Sequence, residues 1–356
     1  MRLTTVCALF VCLSPGKAEE KLVGGPYVVN VGTRSATIAY IVQTSEVKVG
    51  ASGAEARTIP VLHRERVSMT GLTAGTKYEY DVLNRDEGKG SFRTPPAGRG
   101  DFEFVVFGDT RTRPEVHQRV INAIVEKTRP DLVIHTGDLV ADGSDTALWP
   151  IFFGIEKELL RKAAFFPVLG NHERNSQQYH EFFDADPGYY SFNWGGAHFI
   201  ALNSDFANVS PSASVRETYW AEQVRWMEAD LQANRKADFR FVISHHPPIT
   251  AVRRRQGDEN NERMKALIPL LEKYNVTATL NGHDHNYQHH LKNGVHYVVT
   301  GGGGAPVYEV DAPIAGITQK VEGVENFVQV KVQGTALRMV AFALDGRILE
   351  TIEIHK

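Results

Sequence analysis

Beyond residue 20 the chain has no cysteine. Both of its cysteines, Cys7 and Cys12, fall early in a sequence of 356 residues. The body of the chain therefore has no disulfide and no thiolate metal ligand, whatever its compartment. No stretch in that body is long and apolar enough for a transmembrane helix. Charge of one sign is lacking too: 39 Lys and Arg face 42 Asp and Glu, a net charge of -3. No basic stripe points to a nucleic-acid surface, and no acidic tail is present, so charge leaves the partners open. What remains is an ordinary globular composition, 42% hydrophobic, in a chain long enough for two domains or one large domain with an appendage.

The first twenty residues read as an address rather than as structure. Met1-Arg2 leads an apolar run from Leu3 to Leu13, followed by SPGKAEE. A basic start, a short apolar stretch and a small-residue exit describe a secretory signal peptide over residues 1–19, cleaved near Ala18. The run is too short to anchor in a bilayer. Val11, where a small residue is expected before a lipidated cysteine, argues against attachment at Cys12. The expectation is a secreted or periplasmic protein.

Residues 20–97 read as an all-β unit. PYVVNVG, SATIAYIVQ, EVKVGAS and ERVSMTGL are rich in β-formers and broken at short intervals by Gly, Asn and Ser. In GLTAGTKYEYDV, Tyr78 and Tyr80 alternate after a short turn. This resembles the tyrosine corner of a fibronectin type III sandwich, though a β-hairpin with aromatics reads the same way. RTPPAGRGD (93–101) is a linker.

After the linker, strands alternate with helices, which implies an α/β core. DFEFVVFGDTR delivers Asp109 at a strand end, and DLVIHTGDLV delivers Asp138. FFPVLGNHE ends in Asn171 and His172, and FRFVISHHPP in His245 and His246. YNVTAT leads into LNGHDHNYQHH, with His283, Asp284 and His285. Between them lie helical stretches, one with Trp149 and Phe152 on its apolar side, another with Trp220, Val224, Met227 and Leu231 as core. NERMKALIPLLEKY reads as one helix despite Pro269, and the glycine run 301–304 as a turn or close-approach loop. FVQVKV, LRMVAFAL and ILETIEI should close a second sheet.

Each of these turns is common alone. Their joint arrival at strand ends is not, because ligands gather at the carboxyl ends of strands in such cores. Imidazole, amide and carboxylate together suit transition metals.

The order GD…GD…GNHE…HHP…GHDH resembles the calcineurin-like metallophosphoesterase family. The preceding β unit narrows the resemblance to relatives of the purple acid phosphatases. It covers nearly all of the chain after the leader. It implies a four-layer α/β/β/α domain over 98–356, preceded by an all-β fibronectin III-like sandwich. It further implies two metal ions, divalent or mixed-valence, with Fe, Zn and Mn as candidates. Asp138 would bridge them, Asp109 and His285 would bind the first, and Asn171, His245 and His283 would complete the second. His172 would steady the phosphoryl group or protonate the leaving oxygen while a hydroxide held at the metals attacks.

Two positions depart from that family. Where purple acid phosphatases carry a ferric-binding tyrosine this chain has Ala141, and where other relatives carry a histidine it has Arg111. The first metal thus keeps three clear protein ligands. Arg111 either binds a phosphate oxygen or points to solvent. Glu173 either orients His172 or lies on the surface. His246 should turn away from the site by alternation, Asp284 should face away, and His289 and His290 should continue past it. Arg253, Arg254 and Arg255 either attract an anion to the rim or are simply solvated.

The sequence thus describes a secreted metal-dependent phosphoesterase acting on small phosphorylated molecules, with phosphomonoesters preferred. Phosphodiester hydrolysis is the alternative with the same chemistry. A silent binding protein on the same fold is the alternative of another class. Oligomeric state is left open.

Overall fold

The computed structural model describes residues 20–52, 55–83 and 88–356; the expected leader, 1–19, lies outside the described residues. In chain order the N-terminal elements are β1 (Lys21–Gly32), β2 (Ser35–Val49), β3 (Arg57–Thr70), β4 (Lys77–Asp81) and β5 (Lys89–Arg93). Then follow β6 (Phe102–Phe107), α1 (Pro114–Lys127), β7 (Leu132–His135), α2 (Trp149–Leu160), β8 (Ala164–Pro167), α3 (Gln177–Phe183), β9 (Tyr190–Trp194) and β10 (Ala197–Ala201). Next come α4 (Ala213–Ala233), β11 (Phe239–Ser244), α5 (Glu259–Lys265), α6 (Ile268–Lys273), β12 (Ala278–Asn281), β13 (Tyr287–Lys292) and β14 (Val295–Thr300). The chain ends with β15 (Thr318–Glu322), β16 (Asn326–Gln333), β17 (Ala336–Ala343) and β18 (Ile348–His355). Among the described residues no helix is long and apolar enough to cross a membrane.

The layers follow from period-two alternation in strands that are apolar on both faces. On β6, Phe102, Phe104 and Val106 point one way, and Val105 and Phe107 the other. The first set meets Phe199 of β10 and Phe241 of β11 in an inter-sheet core. There Phe104 lies edge-on to Phe199, with ring centroids 5.4 Å apart. The second set packs under α1, α2 and α3 against Val120, Phe152 and Phe182. On the far side, Ile200 and Val242 pack against Met227 and Leu231 of α4 and Leu271 of α6. Helices, sheet, sheet, helices is the expected α/β/β/α order.

The first sheet has nine strands in the order β18-β17-β16-β6-β7-β8-β1-β2-β3. The second has seven, β15-β13-β14-β12-β11-β10-β9, and β4-β5 form a separate ribbon. Among its described residues the N-terminal segment holds strands and no helix. Tyr78 Oη accepts the Thr73 N–H at 2.8 Å, a backbone bond five residues upstream. β1 runs parallel to β8, with Val28 opposite Ala164. It joins the first sheet because both its faces are apolar: Val28 enters the inter-sheet core, while Tyr27 and Val29 enter the helix-facing one.

Three expectations are corrected. The C-terminal strands extend the first sheet, not the second, with β16 antiparallel to β6 and Val330 opposite Phe104. β16 is apolar on both faces, so its period does not name its neighbour. The helix around Pro269 is two helices, because Pro269 opens α6 near its first turn, where a missing N–H costs nothing. On α4, Met227 and Leu231 are fully buried, but Trp220 and Val224 only partly. Gln223 is buried with them and bonds the Asn203 backbone on both sides.

Candidate metal centre

Each expected metal ligand, and His172 with them, stands beyond the end of a strand. Asp109 follows β6, Asp138 follows β7, Asn171 and His172 follow β8, His245 follows β11, and His283 and His285 follow β12. The first four come from one sheet and the last three from the other, so the site forms where the two sheets' strand ends meet. Asp109, Asp138 and His283 have φ of 58°, 57° and 68°. That left-handed conformation is costly for residues with a side chain and clusters at functional sites. Hydrogen bonds hold it: the His283 N–H donates to Asp109 Oδ2 at 2.9 Å, the Asp138 N–H to Glu173 Oε2 at 2.9 Å, and the His172 N–H to Asp138 Oδ1 at 3.0 Å.

Backbone carbonyls orient the rings. His245 Nδ1 lies 2.8 Å from the Thr136 carbonyl oxygen, and His285 Nδ1 2.9 Å from that of Pro306. A carbonyl only accepts, so Nδ1 carries the proton and Nε2 turns a lone pair inward. Asn171 Oδ1 lies 3.2 Å from His245 Nε2 and 3.1 Å from His283 Nδ1, and those two nitrogens are 3.2 Å apart. Asp138 Oδ1 is 3.4 Å from His245 Nε2. Donor atoms about 2.1 Å from one ion stand roughly 3.0–3.4 Å from each other, so Asn171 Oδ1, His245 Nε2 and His283 Nδ1 fit an ion as they stand, with Asp138 Oδ1 beside His245. Burial holds the imidazoles of His245, His283 and His285 below their usual range, the last at about 4, which keeps them neutral and able to ligate.

The other set is less free. His285 Nε2 is 3.5 Å from Asp109 Oδ1, a buried oxygen with no hydrogen-bond partner. Arg111 does not point to solvent. Its Nε lies 3.1 Å from Asp138 Oδ2 and its Nη2 3.4 Å from His285 Nε2. An ion could not reach those two atoms without moving the guanidinium. Burial, then the charge of Asp138, pushes the Asp109 carboxyl well above the carboxylate range. Burial opposes the charge on Asp138 too, but His245, His172 and Arg111 outweigh it and hold that carboxyl at about 2.

His172 stands at the mouth, partly exposed. Its Nδ1 donates to the Ala141 carbonyl oxygen at 2.8 Å, and its Nε2 is 4.0 Å from Asp138 Oδ2. Glu173 neither orients His172 nor lies on the surface. It is fully buried and accepts backbone N–H groups from Gly170 at 2.8 Å, Asp138 at 2.9 Å and Val140 at 3.2 Å. Burial, and Asp138 beside it, pushes its carboxyl up to about 8.

His246 does not turn away. β11 stops at Ser244, so alternation no longer applies, and its ring lies 4.2 Å from that of His283. His245, His246 and His283 form one candidate metal group. Both His246 nitrogens have other partners, Ser204 Oγ at 3.0 Å and Asn260 Nδ2 at 3.2 Å, so it backs His283 as a wall. Asp284 is buried away from the donors, bonded to Thr250 and Gln288. His289 bonds Glu350 and His290 bonds Thr318, both past the site. Of the three arginines, Arg253 is largely exposed, Arg254 covers the Tyr308 ring at 4.1 Å, and Arg255 lies 3.8 Å from Asp284.

Tyr308 was not foreseen. Its hydroxyl donates to the His283 carbonyl at 3.2 Å and its ring lies 5.1 Å from that of His285. A single tyrosine in a loop carries no signal of this. The glycine run does close approach: a Cβ on Gly303 would strike the Gly108 carbonyl, and one on Gly301 would lie 2.7 Å from Asp109 Oδ2.

Residues 102–287, just over half of the chain, match the family described as calcineurin-like phosphoesterase. The chain belongs to that family. A calcineurin-like phosphoesterase is a hydrolase, and a centre of two metal ions is typical of the family. The chain is 26% identical over 310 residues to an uncharacterized protein of Mycobacterium tuberculosis, covering 75% of this chain and 57% of that one. It is 27% identical over 218 residues to probable purple acid phosphatase 20 of Arabidopsis thaliana, covering 56% and 48%. It therefore spans about half the length of the curated relatives it matches. Among solved structures, a purple acid phosphatase from yellow lupin seeds superposes with a TM-score of 0.71 at 16% identity, over 93% of this chain and 74% of that one. PhoD does so with 0.67 at 12%, over 95% and 94%. These likenesses establish the fold.

Proposed function

We propose that this calcineurin-like phosphoesterase is an exported, metal-dependent phosphomonoesterase of acid phosphatase type acting on small phosphorylated molecules. The observation that carries the reading is the convergence of Asn171 Oδ1, His245 Nε2 and His283 Nδ1 on one point, with Asp138 Oδ1 3.4 Å from that His245 nitrogen and His172 at the mouth. Asp138, Asn171, His245 and His283 would hold one ion, and Asp109, His285 and Asp138 are the donors of the other position. The mixed oxygen and nitrogen set suits Zn, Mn or Fe(II). Metal bound there would supply Lewis acidity toward the phosphoryl oxygens and toward water.

The chain's own groups do the rest. The N–H groups of Arg111 not turned to Asp138, Thr112 or His285 are free to meet a phosphoryl oxygen. His172 Nδ1 is committed to the Ala141 carbonyl, so Nε2 is the atom that takes and gives a proton. The bond from phosphorus to the ester oxygen breaks as that from phosphorus to water oxygen forms, and the water gives up one proton to solvent, from which His172 is reprotonated for the next turnover. His172 Nε2 gives the departing oxygen its proton. Residues 20–97 are read as a fibronectin III-like unit on the Tyr78 bond, and residues 1–19 as the leader that exports the chain.

The test is hydrolysis of a matched pair of aryl phosphates, one monoester and one diester. The protein is stripped of metal and reloaded with Zn, Mn or Fe(II) in turn, and His172→Ala runs alongside. Dominant monoester turnover, with a rate loss of roughly 10²–10⁴ in His172→Ala and metal content retained, supports the reading. Dominant diester turnover makes the protein a phosphodiesterase. No turnover above free metal makes it a binding protein.

A further inference from the structure

We propose that Arg111 stands in for one of the two ions, so that the chain binds a single metal ion beside a fixed guanidinium. The inference rests on the metal-dependent reading above and concerns which cations the site holds.

Three observations carry it. First, the guanidinium already occupies the donors of one position. Its Nε is 3.1 Å from Asp138 Oδ2 and its Nη2 3.4 Å from His285 Nε2, and its side chain is 17% exposed. Nη1 donates to Thr112 Oγ1 at 3.0 Å, so each nitrogen has a partner. Guanidinium is a permanent cation in proteins. An ion at ordinary bond length to Asp138 Oδ2 and His285 Nε2 would need the space it fills, against its charge.

Second, the loop is built to turn Arg111 inward. The Arg111 N–H donates to the Asp138 carbonyl at 3.3 Å, and Thr112 has φ of 86°. A β-branched residue in that conformation is a strong outlier and persists only where the surroundings impose it. The strain falls on the residue whose hydroxyl receives the guanidinium.

Third, one ion satisfies what is left. Asn171, His245 and His283 bring three donor atoms within 3.2 Å of one another, and Asp138 Oδ1 lies 3.4 Å from the His245 one. Asp109, Asp138 and His245 each bring a ligand atom within 4.8 Å of one another. Asp109 therefore reaches that donor set through Asp138 and His245, and its Oδ1 is left without a hydrogen-bond partner. Ala141 offers only its carbonyl, already taken by His172.

The arrangement makes one of the site's positive charges covalent. It cannot be chelated or exchanged, and it stays fixed to Asp138 and His285 while the ion is loaded.

The test is metal stoichiometry of the full chain by native mass spectrometry and by the Mn(II) paramagnetic resonance spectrum. Wild type should carry one ion per chain and show the spectrum of an isolated ion. Arg111→His removes the cation and places Nε2 as many bonds from Cα as the arginine Nε, so it should carry two ions with a spin-coupled spectrum. Arg111→Lys keeps the charge and should stay at one. Two ions in wild type, or one in Arg111→His with folding intact by circular dichroism, overturns the inference while leaving the metal-dependent reading standing. No ion in wild type overturns both. If Arg111→His does not fold, Arg111→Ala takes its place, with a second, weaker ion expected and a single ion refuting.

Discussion

Glu173 offers the sharpest test of how the site is held. Its carboxylate fastens two loops, one carrying Asp138 and the other Asn171 and His172. Oε2 accepts from Asp138 and Gly170, and Oε1 from Val140. In Glu173→Ala three buried N–H groups lose their acceptor. Each orphaned donor costs about 1–3 kcal/mol, so the variant should lose about 3–9 kcal/mol, the lower end if water enters. Glu173→Gln can keep its amide oxygen where Oε2 stands and retain two of the bonds. Its NH2 then faces the Val140 N–H, a single mismatch of about 1–3 kcal/mol. The order wild type, Gln, Ala is the expected result in urea unfolding. Because the Asp138 backbone is left-handed and held by this bond, ion affinity should also fall, by about 10–100-fold for a supporting residue of this kind. Glu173→Ala within about 0.5 kcal/mol of wild type, or Gln as damaging as Ala, would refute the reasoning.

Two other perturbations follow. Chelation should lower the melting temperature, since an ion at a hundred times its Kd adds about 2.7 kcal/mol to the folded state; an unchanged melt with and without chelator by calorimetry would count against the donor cluster as a metal site. Asp184 takes two bonds from the buried Arg64, at 2.6 and 2.9 Å, and one from Arg66. Burial pushes its carboxyl up, but Arg64 and Arg66 outweigh that and hold it below its ordinary 3.8. The unfolded chain then binds the extra proton first. The stability from this contact is present above pH 3.8 and is lost as pH falls through the depressed value. Asp184→Asn should flatten that acid limb in stability measured against pH and cost about 1–3 kcal/mol at neutral pH, for Arg64 is left buried with one fewer charged partner. An acid limb as steep in the variant as in wild type would remove Asp184 as its source.

The donor residues were legible because each arrives by the same local signal: an apolar run, a turn and a ligand-type side chain. That signal does not depend on what the strand pairs with. The partners of β16 were not legible, because Val328, Val330 and Val332 face one core and Phe327 another, and a strand apolar on both faces fits either sheet. Pro269 was misread because a proline ending one helix and a proline opening the next look alike until the chain direction on each side is known. Glu173 and His246 failed for another reason. Each follows a site residue directly but lies past the end of its strand, where neither period two nor period 3.6 assigns a direction. Arg111 was open between substrate and solvent because its orientation depends on Asp138 and His285, one of them 174 residues away in sequence.

The place of β1 bears on how separable the N-terminal segment is. β8 delivers Asn171 and His172, and β1 is its neighbour on the side away from β7. Further ties cross the same boundary: Tyr27 Oη to the Phe182 carbonyl at 2.5 Å, Tyr80 Oη to the Arg161 carbonyl at 3.1 Å, and Thr146 Oγ1 to the Pro60 carbonyl at 3.1 Å. Tyr27 stacks on Phe153 of α2 at 5.1 Å, so its removal opens the helix-facing core as well as the sheet. A chain beginning at residue 98 would expose β8 as an unpaired edge with apolar side chains on both faces, the kind of edge that seeds association. It should therefore aggregate or melt far below the full chain, and its ion affinity should fall with the placement of Asn171. If instead the truncated chain is monomeric by sedimentation, with wild-type melting and metal binding, the N-terminal strands are an independent appendage and β8 needs no partner there.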